Sequence, residues 1–187
     1  MKKLLCLAPW VVVAAMDAQG QGYVLFSNVT QDLLVERKIA DAYTGDYLDS
    51  AYIAQLYAGV QGSIESALTP IGDAPVYFLG SPPESLGDFL GNEVLINGVT
   101  AGNVATLQVR VWGATYATWD LAYSAALGDG NIHVGKSDLF DVTTGISGSN
   151  VEIAPSLTAF NVTSVPEPSV FALGIVGLGL ALIRRKL

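Results

Sequence analysis

The chain has few residues on which chemistry could be built. His133 is the only histidine and Cys6 the only cysteine among 187 residues. Any Ser-His-Asp arrangement would therefore have to use His133, and any thiolate would have to come from Cys6. His133 follows Gly128-Asp129-Gly130-Asn131, a turn sequence beside which a histidine ordinarily serves the turn or the surface. A zinc site with one histidine would need carboxylates for its other positions. Acids are plentiful, but a glycosidase dyad is defined by its separation in space. The acids here are distributed like solubilising charge on strand faces and turns, so a secreted glycan hydrolase ranks third among the functions considered.

Two loops have the composition of an oxygen-rich calcium site. Asp41, Asp46 and Asp49 gather around Gly45, while Asp129 and Asn131 share a second glycine-rich turn. Neither has EF-hand spacing, and aspartate in turns has its own backbone explanation. No cofactor is expected, and structural calcium is the one metal for which there is a candidate. The aromatics form two groups: Tyr43, Tyr47, Tyr52 and Tyr57, then Trp112, Tyr116, Trp119 and Tyr123. Trp119, Trp112 and Tyr116 are the candidate carbohydrate contacts, because open aromatic faces stack on sugar rings. The competing explanation is that they fill the core and close its ends.

These residues must be positioned by β structure. Between residues 21 and 163, glycine-, asparagine- and proline-containing turns separate short runs rich in β-branched and aromatic residues. In Val104–Trp112, Ala105, Leu107, Val109 and Val111 alternate with Thr106, Gln108 and Arg110, the pattern of a half-buried strand. Further strands are expected at Tyr23–Asn28, Leu33–Ile39, Tyr52–Tyr57, Val76–Leu79, Glu93–Ile96, Asp138–Thr143, Val151–Ile153 and Leu157–Val162. Asn97-Gly98 suggests a tight hairpin turn. Thr118 is placed to cap a short helix from Trp119 to Leu127, stopped by Gly128 and lying across one end of the body. The expected class is all-β, an antiparallel sandwich or jelly roll with one short helix.

Charge narrows the partners. Between the terminal segments stand four basic residues (Arg37, Lys38, Arg110, Lys136) against 15 acids, a net charge of −11. Nucleic acid is excluded as a partner for so acidic a surface. Residues 21–163 contain no cysteine, so neither a disulfide nor a thiolate metal site is available to them.

Both ends read as addresses. Met1-Lys2-Lys3 and the apolar run Leu4–Ala15 form a secretory signal, cleaved after Ala18 or Gly20; Sec machinery and signal peptidase are the implied partners, and residues 1–20 the implied leader. At the other end, residues 164–187 carry Val165-Pro166-Glu167-Pro168-Ser169, the glycine-containing apolar run Val170–Ile183, and Arg184-Arg185-Lys186. As a helix the run would span about 21 Å against a hydrocarbon core of about 30 Å, short for a permanent anchor. Arg184, Arg185 and Lys186 would stop transfer and stay on the cytoplasmic side. The basic terminus argues against a GPI signal, and no Leu-Pro-x-Thr-Gly precedes the run.

This ordered tail resembles the PEP-CTERM sorting signal of Gram-negative bacteria. The resemblance implies that Pro166, Glu167 and Pro168 are read by an integral-membrane exosortase that processes the tail. It also implies a substrate passing transiently through the inner membrane to the cell surface or the exopolysaccharide matrix. The folded part of such proteins varies widely, so no biochemical activity comes with the likeness. The expected function is that of an exported, non-enzymatic surface or matrix protein, with an exopolysaccharide-binding module as the alternative.

Overall fold

The computed structural model describes residues 20–165. The leader and the tail, with Pro166, Glu167, Pro168, Arg184, Arg185 and Lys186, lie outside the described residues. Among those described, no helix is long and apolar enough to cross a membrane.

Among the described residues, nine strands and one short α-helix follow in order: β1 (Gln21–Ser27), β2 (Ala40–Asp41), β3 (Tyr52–Val60), β4 (Thr69–Tyr77), β5 (Leu90–Thr100), β6 (Val104–Gly113), α1 (Trp119–Ala126), β7 (His133–Lys136), β8 (Phe140–Thr143) and β9 (Asn161–Ser164). The all-β expectation with one short helix is met. β1 and β5 form a two-stranded ribbon, and the other seven strands form one sheet in the order β2-β9-β7-β6-β3-β4, with β8 also paired to β6. Every named pairing is antiparallel except β2–β9, which is parallel. The main core lies between ribbon and sheet: Val24, Phe26 and Ile96 from the ribbon side meet Ala54, Leu56, Ala105, Leu107, Val109 and Val111.

Several expectations need correction. β6 is buried on both faces, with Thr106, Gln108 and Arg110 at 4%, 2% and 9% exposure. Its second face is covered by α1, which packs Trp119, Ala122 and Ala126 against Trp112, Ile53, Tyr57 and Val134 in a separate cluster. The helix thus lies on the outer face of the large sheet rather than across an end. Its limits follow the chemistry: the Thr118 hydroxyl accepts the Leu121 N–H at 3.4 Å, and Asp120 sits in the first turn.

No strand forms at Leu33–Ile39. Leu33 has φ 58°, a conformation that breaks extended pairing, and Leu33 and Leu34 face solvent; one isolated bridge, Val29–Glu36, remains. Val151–Ile153 contributes only the bridge Leu25–Glu152, and pairing in the last candidate run begins only at Asn161. Asn97-Gly98 is not a hairpin turn. β5 runs through it, and the register against β1 jumps from Ile96 to Thr100, so Gly98 at φ 77° makes a bulge within the strand. The chain instead turns at Thr100–Asn103, where the Asn103 N–H donates to Thr100 O at 3.0 Å.

Candidate functional site

Strand alternation puts Thr106, Gln108, Arg110 and Trp112 in one row on the outer face of β6. Burial of such groups is tolerated when they are bonded, and most of this row is. Thr106 Oγ1 donates to Asp141 Oδ1 at 2.6 Å and accepts the Gly62 N–H at 2.9 Å. Gln108 Nε2 donates to Ser137 O at 3.1 Å, and its Oε1 accepts Arg110 Nε–H at 2.9 Å. Trp112 Nε1 donates to Tyr116 O at 2.9 Å.

Arg110 is the exception. Its guanidinium carbon lies 3.9 Å from the Tyr57 ring centre and 5.5 Å from that of Trp119. The nearest acid, Glu65, stands on a one-turn 3-10 helix (Glu65–Ala67), 3.9 Å from Arg110 Nη2. Glu65 is already engaged by Lys136, whose Nζ donates to it at 2.5 Å. That bond is the main reason the Glu65 carboxyl sits below its ordinary range against the opposing effect of burial, and Gln108 and Arg110 add to it. Burial pushes the Tyr57 hydroxyl up, with Arg110 opposing and Asp120 reinforcing. Arg110 thus makes its hydrogen bond to Gln108 through Nε and turns Nη2 toward Glu65.

Arg110 lines a cleft of about 540 Å³ together with Gln55, Tyr57, Glu65, Asp73 and Asp120. The donors include a guanidinium, an amide and the Tyr57 hydroxyl, and the acceptors include three carboxylates. A sugar hydroxyl both donates and accepts, so a polyhydroxylated ligand pairs with such a mixture better than a simple anion or cation. A second, smaller cleft of about 260 Å³ is lined by Trp119, Tyr123, Lys136, Asn161 and Thr163. There Trp119 and Tyr123 stack at 5.6 Å and 25°.

The three aromatic candidates are distributed unequally. Trp112 has no exposed surface, so it cannot offer a ring to a sugar. It packs edge-on to Trp119 at 6.1 Å. Trp119 is 6% exposed and Tyr116 half-buried; of the second group, Trp112, Tyr116, Trp119 and Tyr123, only Tyr123 opens appreciably to solvent. Aromatic residues here chiefly build the cover over β6, because a helix landing on the sheet needed large apolar side chains to bury.

The candidate calcium ligands are not gathered. Among the described residues no group of three His, Cys, Asp or Glu side chains converges. Asp41 Oδ1 caps the Tyr43 and Thr44 N–H groups at 2.7 and 3.2 Å, Asp49 caps Ala51, and Asp129 holds Asn131. The other Asp41 oxygen meets His133 Nδ1. Burial is the largest single influence on the Asp41 carboxyl and raises it, but the His133 bond, the two N–H groups and the His133 charge together hold it below its ordinary range. His133 thus ties β7 to β2.

Sequence reasoning missed the roles of Arg110, Glu65, Gln55 and Asp73. The usable signal was the polar row alternating with the core residues of β6, together with the rarity of basic residues. No protein-family model, curated protein or solved structure matches the chain.

Proposed function

We propose that the chain is an exported, non-enzymatic cell-surface or extracellular-matrix protein, delivered by Sec, sorted by exosortase through its C-terminal tail, and processed there. The observation that carries this reading is the order Pro166-Glu167-Pro168, apolar run, Arg184-Arg185-Lys186. β9 ends at Ser164, and Val165 packs against the Trp112–Trp119 cluster, one residue before Pro166 in the sequence. The finer fold reading is an antiparallel β-sandwich or jelly roll followed by a short membrane helix. Replacing Pro166, Glu167 and Pro168 with alanine should hold full-length protein in the inner membrane; unchanged fractionation and terminal mass would refute the sorting role.

The second reading, a polysaccharide-binding module, is favoured by one observation, the Arg110 guanidinium lining a cleft together with three carboxylates and an amide. Under it, Trp119 acts as the ring supporting Arg110 rather than as an open platform.

A further inference from the structure

Residues 28–41 cross the body with little regular structure, yet they are pinned to residues 84–89 by a buried polar cluster. Asn28, fully buried, donates Nδ2–H to Arg37 O and to Gly87 O at 2.9 Å each and accepts the Phe89 N–H at 2.7 Å. The Ile39 N–H donates to Gly87 O at 3.0 Å, so the two segments run side by side. Lys38 and Asp88 are next to that contact on either segment. Lys38 Nζ lies 2.6 Å from Asp88 Oδ2, with Glu84 O at 2.6 Å, Leu86 O at 3.2 Å and Glu36 Oε2 at 3.6 Å. Asp88 is 4% exposed, and its Oδ1 is buried with no hydrogen-bond partner among the described residues.

A carboxylate so placed is an expensive ion pair, because one oxygen has lost water and gained nothing. The arrangement also supplies what amide formation draws on: amine and carboxyl in contact at 2.6 Å, the carboxyl itself buried, and a second carboxyl beside the amine to carry protons. We propose that Lys38 and Asp88 condense into an intramolecular amide that cross-links the 28–41 crossing to the start of β5.

The step balances without any co-reactant. A proton leaves the Lys38 ammonium by way of Glu36, and the Asp88 carboxyl takes it up. The freed Nζ lone pair attacks Asp88 Cγ, the Cγ–Oδ2 bond breaks, and Oδ2 departs as water with one proton from the nitrogen and one from the carboxyl. Ammonium plus carboxylate becomes amide plus one water, and nothing is oxidised or reduced. Burial favours the neutral carboxyl: it raises Asp88, the Lys38 bond and charge pull back, and Glu36 reinforces the rise. Lys38 is desolvated too, but Asp88 and Glu36 hold its proton more tightly than usual, so deprotonation by way of Glu36 is the slow part. The product removes one buried and one part-buried charge and closes a loop across 50 residues, in a domain with no cysteine to do so.

Trypsin reads the bond directly. The purified full-length protein, denatured and digested, should be cut after Arg37 but not after acylated Lys38. It should release peptide 38–110 at about 18 Da, one water, below its sequence mass. Fragmentation should release no separated ions from cleavages between residues 38 and 88. The Lys38→Arg variant keeps the positive charge but cannot acylate, and should be cut after residue 38 to give peptide 39–110 at full mass. Glu36→Gln should leave a mixture, with the uncondensed share enlarged. Peptide 39–110 at full sequence mass from the unsubstituted protein would overturn the proposal and leave an ion pair only.

Discussion

The guanidinium of Arg110 lies over the ring of Tyr57, 3.9 Å from its centre, while its Nε is held by Gln108. Tyr57 pairs with Gln108 and Arg110 with Gln55, so the two are diagonal neighbours across β3 and β6, two residues off register, and the sheet itself fixes the contact. A cation stacked in this way and removed from water is stabilised by about 2 kcal/mol. Arg110→Ala should therefore lower the unfolding free energy by about that amount, measured by urea denaturation. Arg110→Lys should recover little, because an ammonium can neither stack as a plane nor reach Gln108 in the same geometry.

The same residue tests the cleft. Neutral polysaccharide from the producing organism should perturb tryptophan emission of the mature protein, since Trp119 neighbours Arg110. Arg110→Gln should abolish the response. Emission and retention unchanged across the whole polysaccharide preparation would remove the binding-module reading while leaving the sorting reading intact.

Acid should weaken the fold through Asp41. Its carboxyl is held below the ordinary range in the folded state, so its contribution is present above the unfolded value of about 3.9 and is lost as pH falls through the lower folded value. Urea midpoints taken from pH 5 downward should drop, and Asp41→Asn should flatten that part of the profile.

Burial separates the tryptophans from the surface leucines. Trp112→Ala empties a fully buried site and should cost about 3–5 kcal/mol. Leu34→Ala, at 82% exposure, should stay within about 0.5 kcal/mol. Near-equal losses would mean that the outer cluster of α1 on β6 is misassigned.

Period-two alternation made β6 legible, runs of β-branched and aromatic residues between turns made β1 and β3 legible, and Thr118 made the helix start legible, because these signals are local. What failed depended on contacts distant in sequence. The second face of β6 looked solvent-facing because Thr106, Gln108 and Arg110 are polar; their partners Asp141, Ser137 and Tyr57 come from other strands and loops. β7 escaped notice because His133-Val134-Gly135-Lys136 has a glycine at its centre. The fold needs that glycine, since a Cβ there would lie 2.6 Å from the Asn161 carbonyl oxygen. Asn97-Gly98 has the composition of a hairpin turn, yet the chain spends its positive φ on a bulge. Of the cleft, the polar row of β6 and the scarcity of cations hinted at Arg110; the convergence of Gln55, Glu65, Asp73 and Asp120 has no one-dimensional trace.

The sorting account is tested most directly by the intact mass of the protein recovered from outside the producing cells. The account predicts a species that begins near residue 19 or 21 and has lost the apolar run and Arg184-Arg185-Lys186. An extracellular protein with the full sequence mass, or a chain found only in the cytoplasm with both ends intact, would contradict it.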